Sequence, residues 1–205
     1  MKEYSVLMSL VDFIPVAMFM ISAVIMQQDF YNKMYKGVYA LFAAGTIDVF
    51  MAGFLKALYK LLYALGICDF TPLSDMFFPV ESLGFLLAGI AVMAMAFGKK
   101  KNVTALSAAP VVFKGTAIFV SFMVIGTGCI FAGLSKMAVK VKKHYVVALL
   151  VIAFFCYLSM GYLSSKDFDR AYMNWIGEGV NVLGQTLLLV SLLIMRKAGV
   201  KEIEI

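Results

Sequence analysis

Five polar side chains fall inside the apolar stretches of this sequence: Asp48, Glu81, Glu178, Asn181 and Gln185. In lipid such groups are costly, and by default they mark function. Asp48 lies deepest. Ala44 and Ala52 flank it one turn away on the same helical face, and small residues let a second helix come close. The position suits a proton- or cation-binding carboxyl, and also a structural acid bonded to a neighbouring helix. Glu178, Asn181 and Gln185 follow the spacing i, i+3, i+7 and therefore share one face. Glu81, Gly84 and Ala88 repeat that spacing with small residues behind the acid. A polar stripe facing a small-residue notch would line one cavity that binds a small solute or cation. The plainer reading makes Glu81 and Glu178 helix N-terminal carboxylates favoured by the dipole, with the two amides as interhelical glue.

Weaker candidates surround these. Asp12 and Lys114 stand near the starts of corresponding runs. An ion pair between them is one reading; Asp12 in the headgroups and a snorkelling Lys114 is the simpler expectation. Pro15 and Pro79 would bend their helices. Gly126 and Gly128 form a packing face, and Phe77, Phe78, Tyr172 and Trp175 occupy run ends, where interfacial aromatics belong.

Catalytic patterns are missing. The sequence has no Walker A loop, no G-x-S-x-G, no H-E-x-x-H and no clear Ser-Lys dyad. Ser74 beside Asp75 is a poor nucleophile and base pair for lipid chemistry. The one histidine, His144, excludes a histidine-rich zinc site. Cys68, Cys129 and Cys156 form no C-x-x-C pair. We therefore expect no metal, no cofactor and no enzyme activity.

The elements that must hold these groups follow from composition. Of 205 residues, 63% are hydrophobic and only 15% charged, and the mean hydropathy is +0.93. A soluble domain of this size cannot hide so much apolar surface, whereas a bilayer can. The net charge of +6 comes largely from lysines beside the apolar runs. Lipid headgroups account for them better than nucleic acid does. A spanning helix needs roughly 20 mostly apolar residues. Six runs qualify, at 6–26, 37–55, 77–97, 110–134, 145–163 and 174–195. The second continues to residue 65 as an amphipathic piece carrying Lys56 and Lys60, expected in the headgroups or along the interface. The first run lacks a cleavage site and is expected to be retained.

An internal repeat organises the runs. Residues 37–55 align with 145–163, and 76–100 with 173–197, pairing Glu81 with Glu178 and Lys100 with Lys197. Asp69-Phe70 parallels Asp167-Phe168, one residue out of step. Pseudo-repeats at about 5–101 and 110–198 would each hold three spans. An odd number of spans per half inverts the second half, as in many secondary transporters. Matching loops then face opposite sides. The Lys and Arg count divides ten to eight, which leaves the orientation open with a lean to both termini inside.

The expectation is an all-α, multi-pass integral protein of a cell (inner or plasma) membrane. It has about six spans in one transmembrane domain and a three-plus-three inverted repeat. Its function would be transport or channelling of a small solute or cation, with the intramembrane carboxylates available for proton coupling. The alternatives are a substrate-binding subunit of an energy-coupling type transporter, or a membrane sensor or lipid-modifying protein. The partners expected are the lipid bilayer, a small-molecule or cation substrate and, at most, a second copy in a homodimer, with no nucleic acid.

Overall fold

The computed structural model describes residues 4–98, 116–163 and 171–203, which form eight helices and no strand. They are α1 (Val6–Val11), α2 (Phe13–Phe30), α3 (Lys36–Ala64), α4 (Pro72–Asp75), α5 (Phe77–Phe97), α6 (Thr116–Lys140), α7 (His144–Leu163) and α8 (Ala171–Lys197). Six spans are long and apolar enough to cross a membrane, with α1–α2 and α4–α5 each counting as one. Ile14, Ile47, Ile90, Ile125, Ile152 and Leu193, one from each span, are exposed on the outside of the bundle. Only lipid makes such a surface favourable. The expected run at 110–134 is realised as α6, displaced toward the C-terminus. Residues 110–115, Lys114, Lys99 to Lys101 and Asp167-Phe168 lie outside the described residues.

Local chemistry sets the breaks. Pro15 has no N–H and crowds the carbonyl four residues back, that of Val11. Helix α1 ends at Val11, and Asp12 caps it. Helix α3 does not stop at residue 55 but runs for 29 residues. It ends in a left-handed Gly66 (φ 68°), with the N–H groups of Gly66 and Ile67 bonded back to the carbonyls of Tyr63 and Leu62.

The spans form a closed ring in the order α2, α3, α5, α6, α7, α8 and back to α2. Contact between α5 and α6 is the most extensive. A Cβ on Gly126 would strike the Phe85 carbonyl carbon, and one on Gly89 would strike the Gly126 carbonyl oxygen, so these helices meet backbone to backbone. Gly45 and Gly84 bring α3 and α5 equally close, with a Gly45 Cβ falling 2.5 Å from the Gly84 oxygen.

Helices α5 and α6 run parallel. Phe78 packs on Phe119 at 6.4 Å, Val92 on Gly133, and the Lys136 ammonium lies 4.0 Å from the Phe97 ring centroid and donates to the Ala96 carbonyl. The end of α5 and the beginning of α6 are therefore at opposite ends of the bundle. Among the described residues both triplets therefore run in the same direction, whereas the inverted plan expects opposite directions. Counting spans assumed that α6 begins at the end where α5 stops, and the contacts between the two helices place its first described turns at the opposite end. The first and last described residues consequently sit at opposite ends as well. Tyr4 packs on Tyr63 at one end, and Lys33 donates to the Ile203 carbonyl at the other.

The same correction sorts the charge. Lys33, Lys36, Lys136, Lys140, Lys142, Lys143, Arg196, Lys197 and Lys201 all belong to the C-terminal end. Among the described residues the N-terminal end has only Lys56 and Lys60.

Two outcomes test this arrangement. Gly126→Val should lower the melting point of the purified protein, at a cost of about 1–3 kcal/mol or more from overpacking. Gly179→Ala, with nothing within 4 Å of its Cβ, should leave it unchanged. With Cys129 and Cys156 replaced by alanine, a membrane-impermeant maleimide should reach exposed Cys68 and a Lys201→Cys thiol from opposite sides of sealed vesicles. Labelling from one side would refute the parallel arrangement.

Candidate functional site

A cavity of about 280 Å³ opens inside the ring. Its lining runs from Tyr4 and Ser74 at the N-terminal end to Phe19, Val49 and Gln185 near mid-bundle. Five ionisable side chains face it: Asp12, Lys56, Lys60, Glu81 and Glu178. Asp12 arrives there because the α1–α2 break turns it inward, and it is 5% exposed. Lys56 and Lys60 share the inner face of α3 one turn apart. Glu81 comes from the first turns of α5. Glu178, Asn181 and Gln185 form the stripe along α8.

Lys60 organises the charges. Its Nζ lies 2.6 Å from the Asp12 carboxylate and 3.6 Å from that of Glu178, and all three are nearly buried. One lysine thus joins the α1–α2 junction, α3 and α8. Lys56 lies with its Nζ 3.8 Å from the Phe77 ring centroid, a cation–π contact. The Glu178 Oε2 and Gln185 Oε1 atoms are buried without hydrogen-bond partners. The Tyr157 hydroxyl neighbours Gln185 but falls short of good hydrogen-bond geometry.

Below the cavity the aromatic rings close ranks. Phe19 packs edge-on to Phe85 (6.2 Å), Phe85 to Tyr157 (5.8 Å), and Tyr157 to Phe131 (5.3 Å). At the C-terminal end, Arg196 joins α8 to α2 through Asp29 at 3.6 Å and Gln28 at 2.9 Å. The α2–α8 seam is therefore ionic at both ends, whereas the α5–α6 seam opposite it is backbone on backbone.

Of the five residues singled out in the sequence, Glu81, Glu178, Asn181 and Gln185 line the cavity. Asp48 does not. It is half-buried beside Gly84 at the α3–α5 contact and has no ion-pair partner among the described residues. Two expectations change. Asp12 is buried in an ion pair rather than placed in headgroups. Lys56 and Lys60 point into the bundle rather than along the interface. Their i, i+4 spacing with Ala57 and Gly53 on the adjoining face was the available signal, but alone it fits an interfacial helix equally well. No cluster of His, Cys, Asp and Glu suited to a metal occurs among the described residues.

Lys60→Met would strand two buried carboxylates and should destabilise the fold by about 3–5 kcal/mol, read as a lower melting point in detergent. Adding Asp12→Asn and Glu178→Gln should restore most of that loss. If Lys60→Met melts like the parent, the triad does not hold the three elements together.

In comparisons with known proteins, no family model, no curated protein and no solved structure matches this chain.

Proposed function

We propose that the chain is a membrane transporter for a small solute, whose binding site is the charged cavity at the N-terminal end. One observation carries this reading: five ionisable groups from four elements converge on a single cavity inside a bundle otherwise apolar enough for lipid. Keeping charge there is expensive, and function is the usual reason. The aromatic layer under the cavity and the Arg196 contacts beyond it correspond to a state closed at the C-terminal end. Access would alternate by parting the α2–α8 seam, held by ion pairs rather than by glycine packing, while the α3–α5–α6 body stays rigid. Exchange of Lys60 between Asp12 and Glu178 would accompany the movement.

Orientation follows from charge. Among the described residues the C-terminal end is the basic one, and the positive-inside rule would put it in the cytoplasm. The cavity then faces outward, which suits uptake. The closed floor also favours a second reading, a substrate-capturing subunit that binds from outside and needs a partner to release.

Proteoliposome assays separate the two. Flux of alkali cations, protons, organic amines and amino acids would be screened, and the parent chain should move at least one. Glu81→Gln and Glu178→Gln should each slow that flux about tenfold or more, a barrier change of about 1.4 kcal/mol. Unchanged flux in both variants would remove the carboxylates from the mechanism. Tight binding without flux would favour the capturing subunit. In whole cells, Cys68 should label without permeabilisation and Lys201→Cys only after it.

A further inference from the structure

The cavity's charges are unevenly committed. Lys60 is held between Asp12 and Glu178. Lys56 has no carboxylate within 4.0 Å among the described residues, and its ammonium rests on Phe77 instead. Glu81, one turn beyond Phe77 on α5, has neither a salt bridge nor a hydrogen bond to another described residue. Glu178 is 7% exposed, yet its Oε2 has no hydrogen-bond partner, and the same holds for Gln185 Oε1. A cation without an ion pair on α3, a carboxylate without one on α5 and the open Oε2 of Glu178 on α8, whose other oxygen faces Lys60, thus look into the same cavity from three sides.

We infer that the cavity binds a small zwitterion of the amino-acid class, with its carboxylate on Lys56 and its ammonium between Glu81 and Glu178. The inference rests on the transport reading only for the direction of access, since it concerns binding. A simple cation would satisfy the acids but add repulsion at Lys56. A simple anion would satisfy Lys56 but meet three carboxylates. A zwitterion complements both and leaves the site's formal charge unchanged. Size agrees: about 280 Å³ holds one amino acid and falls below the roughly 300–1,000 Å³ of sites for drug-sized ligands. Phe50, Phe77 and Tyr157 add apolar walls for a side chain.

The test uses the whole purified chain in detergent or nanodiscs. Each of the twenty standard L-amino acids would be screened by thermal shift. The strongest would be titrated by calorimetry beside its C-terminal amide and its N-acetyl derivative. The parent should bind the zwitterion roughly thirtyfold or more tightly than either derivative, because each leaves one buried charge unanswered. Lys56→Met should abolish the preference over the amide, and Glu81→Gln should abolish the preference over the N-acetyl form. Lys56→Arg, which keeps the cation, should retain both preferences and controls for folding. The inference is overturned if no amino acid shifts the melting point, if the amide binds as tightly as the zwitterion, or if Lys56→Met keeps the parent's preference. Amino-acid binding without flux would refute transport and leave this inference standing. Flux of amines or inorganic cations without amino-acid binding would do the reverse.

Discussion

Helices α5 and α6 lie side by side in the same direction, with glycine backbone against glycine backbone, and much else follows from that contact. In lipid there is no hydrophobic force to draw helices together, so close van der Waals approach does the work, and only residues without side chains permit it. The parallel direction then fixes the rest. It puts the first turns of α8 beside the α1–α2 junction and the last turn of α3, where Glu178 can meet Lys60 and Asp12. It separates the first and last described residues. It also gathers most of the described basic residues at one end, a bias hidden when the loops are assigned by counting alternate spans.

The ionic triad is better understood as a device of specificity than of stability. Buried ion pairs often contribute little net energy, because desolvation offsets their attraction, yet removing one member is severe. Lys60 ties together three elements that are distant in sequence. The α2–α8 seam depends on such directional contacts, whereas the α3–α5–α6 body depends on shape.

The six spans were legible in the sequence because length and apolar content nearly suffice to define them. The α8 stripe was legible because i, i+3, i+7 spacing places residues on one face whatever that face meets. Which face turns inward is a tertiary fact, and there the sequence was ambiguous. Lys56 and Lys60 read as headgroup lysines because amphipathic helix ends at interfaces carry the same pattern. Asp12 was underrated because its inward turn depends on Pro15 breaking the helix at Val11. Asp48 looked the strongest candidate by depth alone, but its place beside Gly84 at a helix contact keeps it away from the cavity. The relative direction of the two triplets differs for another reason. The similarity between the triplets does not encode direction, and counting spans supplied the wrong sign.

The layer of rings formed by Phe19, Phe85, Tyr157 and Phe131 has an electrical consequence. If water fills the cavity from the N-terminal end, it would carry bulk potential inward, and the insulating part of the bundle would shrink from the full helix length to that aromatic layer and what lies beneath it. The membrane voltage then falls over a short distance. A bare charge pushed through the rings would cross nearly the whole potential, about 2.3 kcal/mol for each 100 mV. A solute whose charges cancel would cross it almost free of that force, and only displaced side-chain charge would register as current.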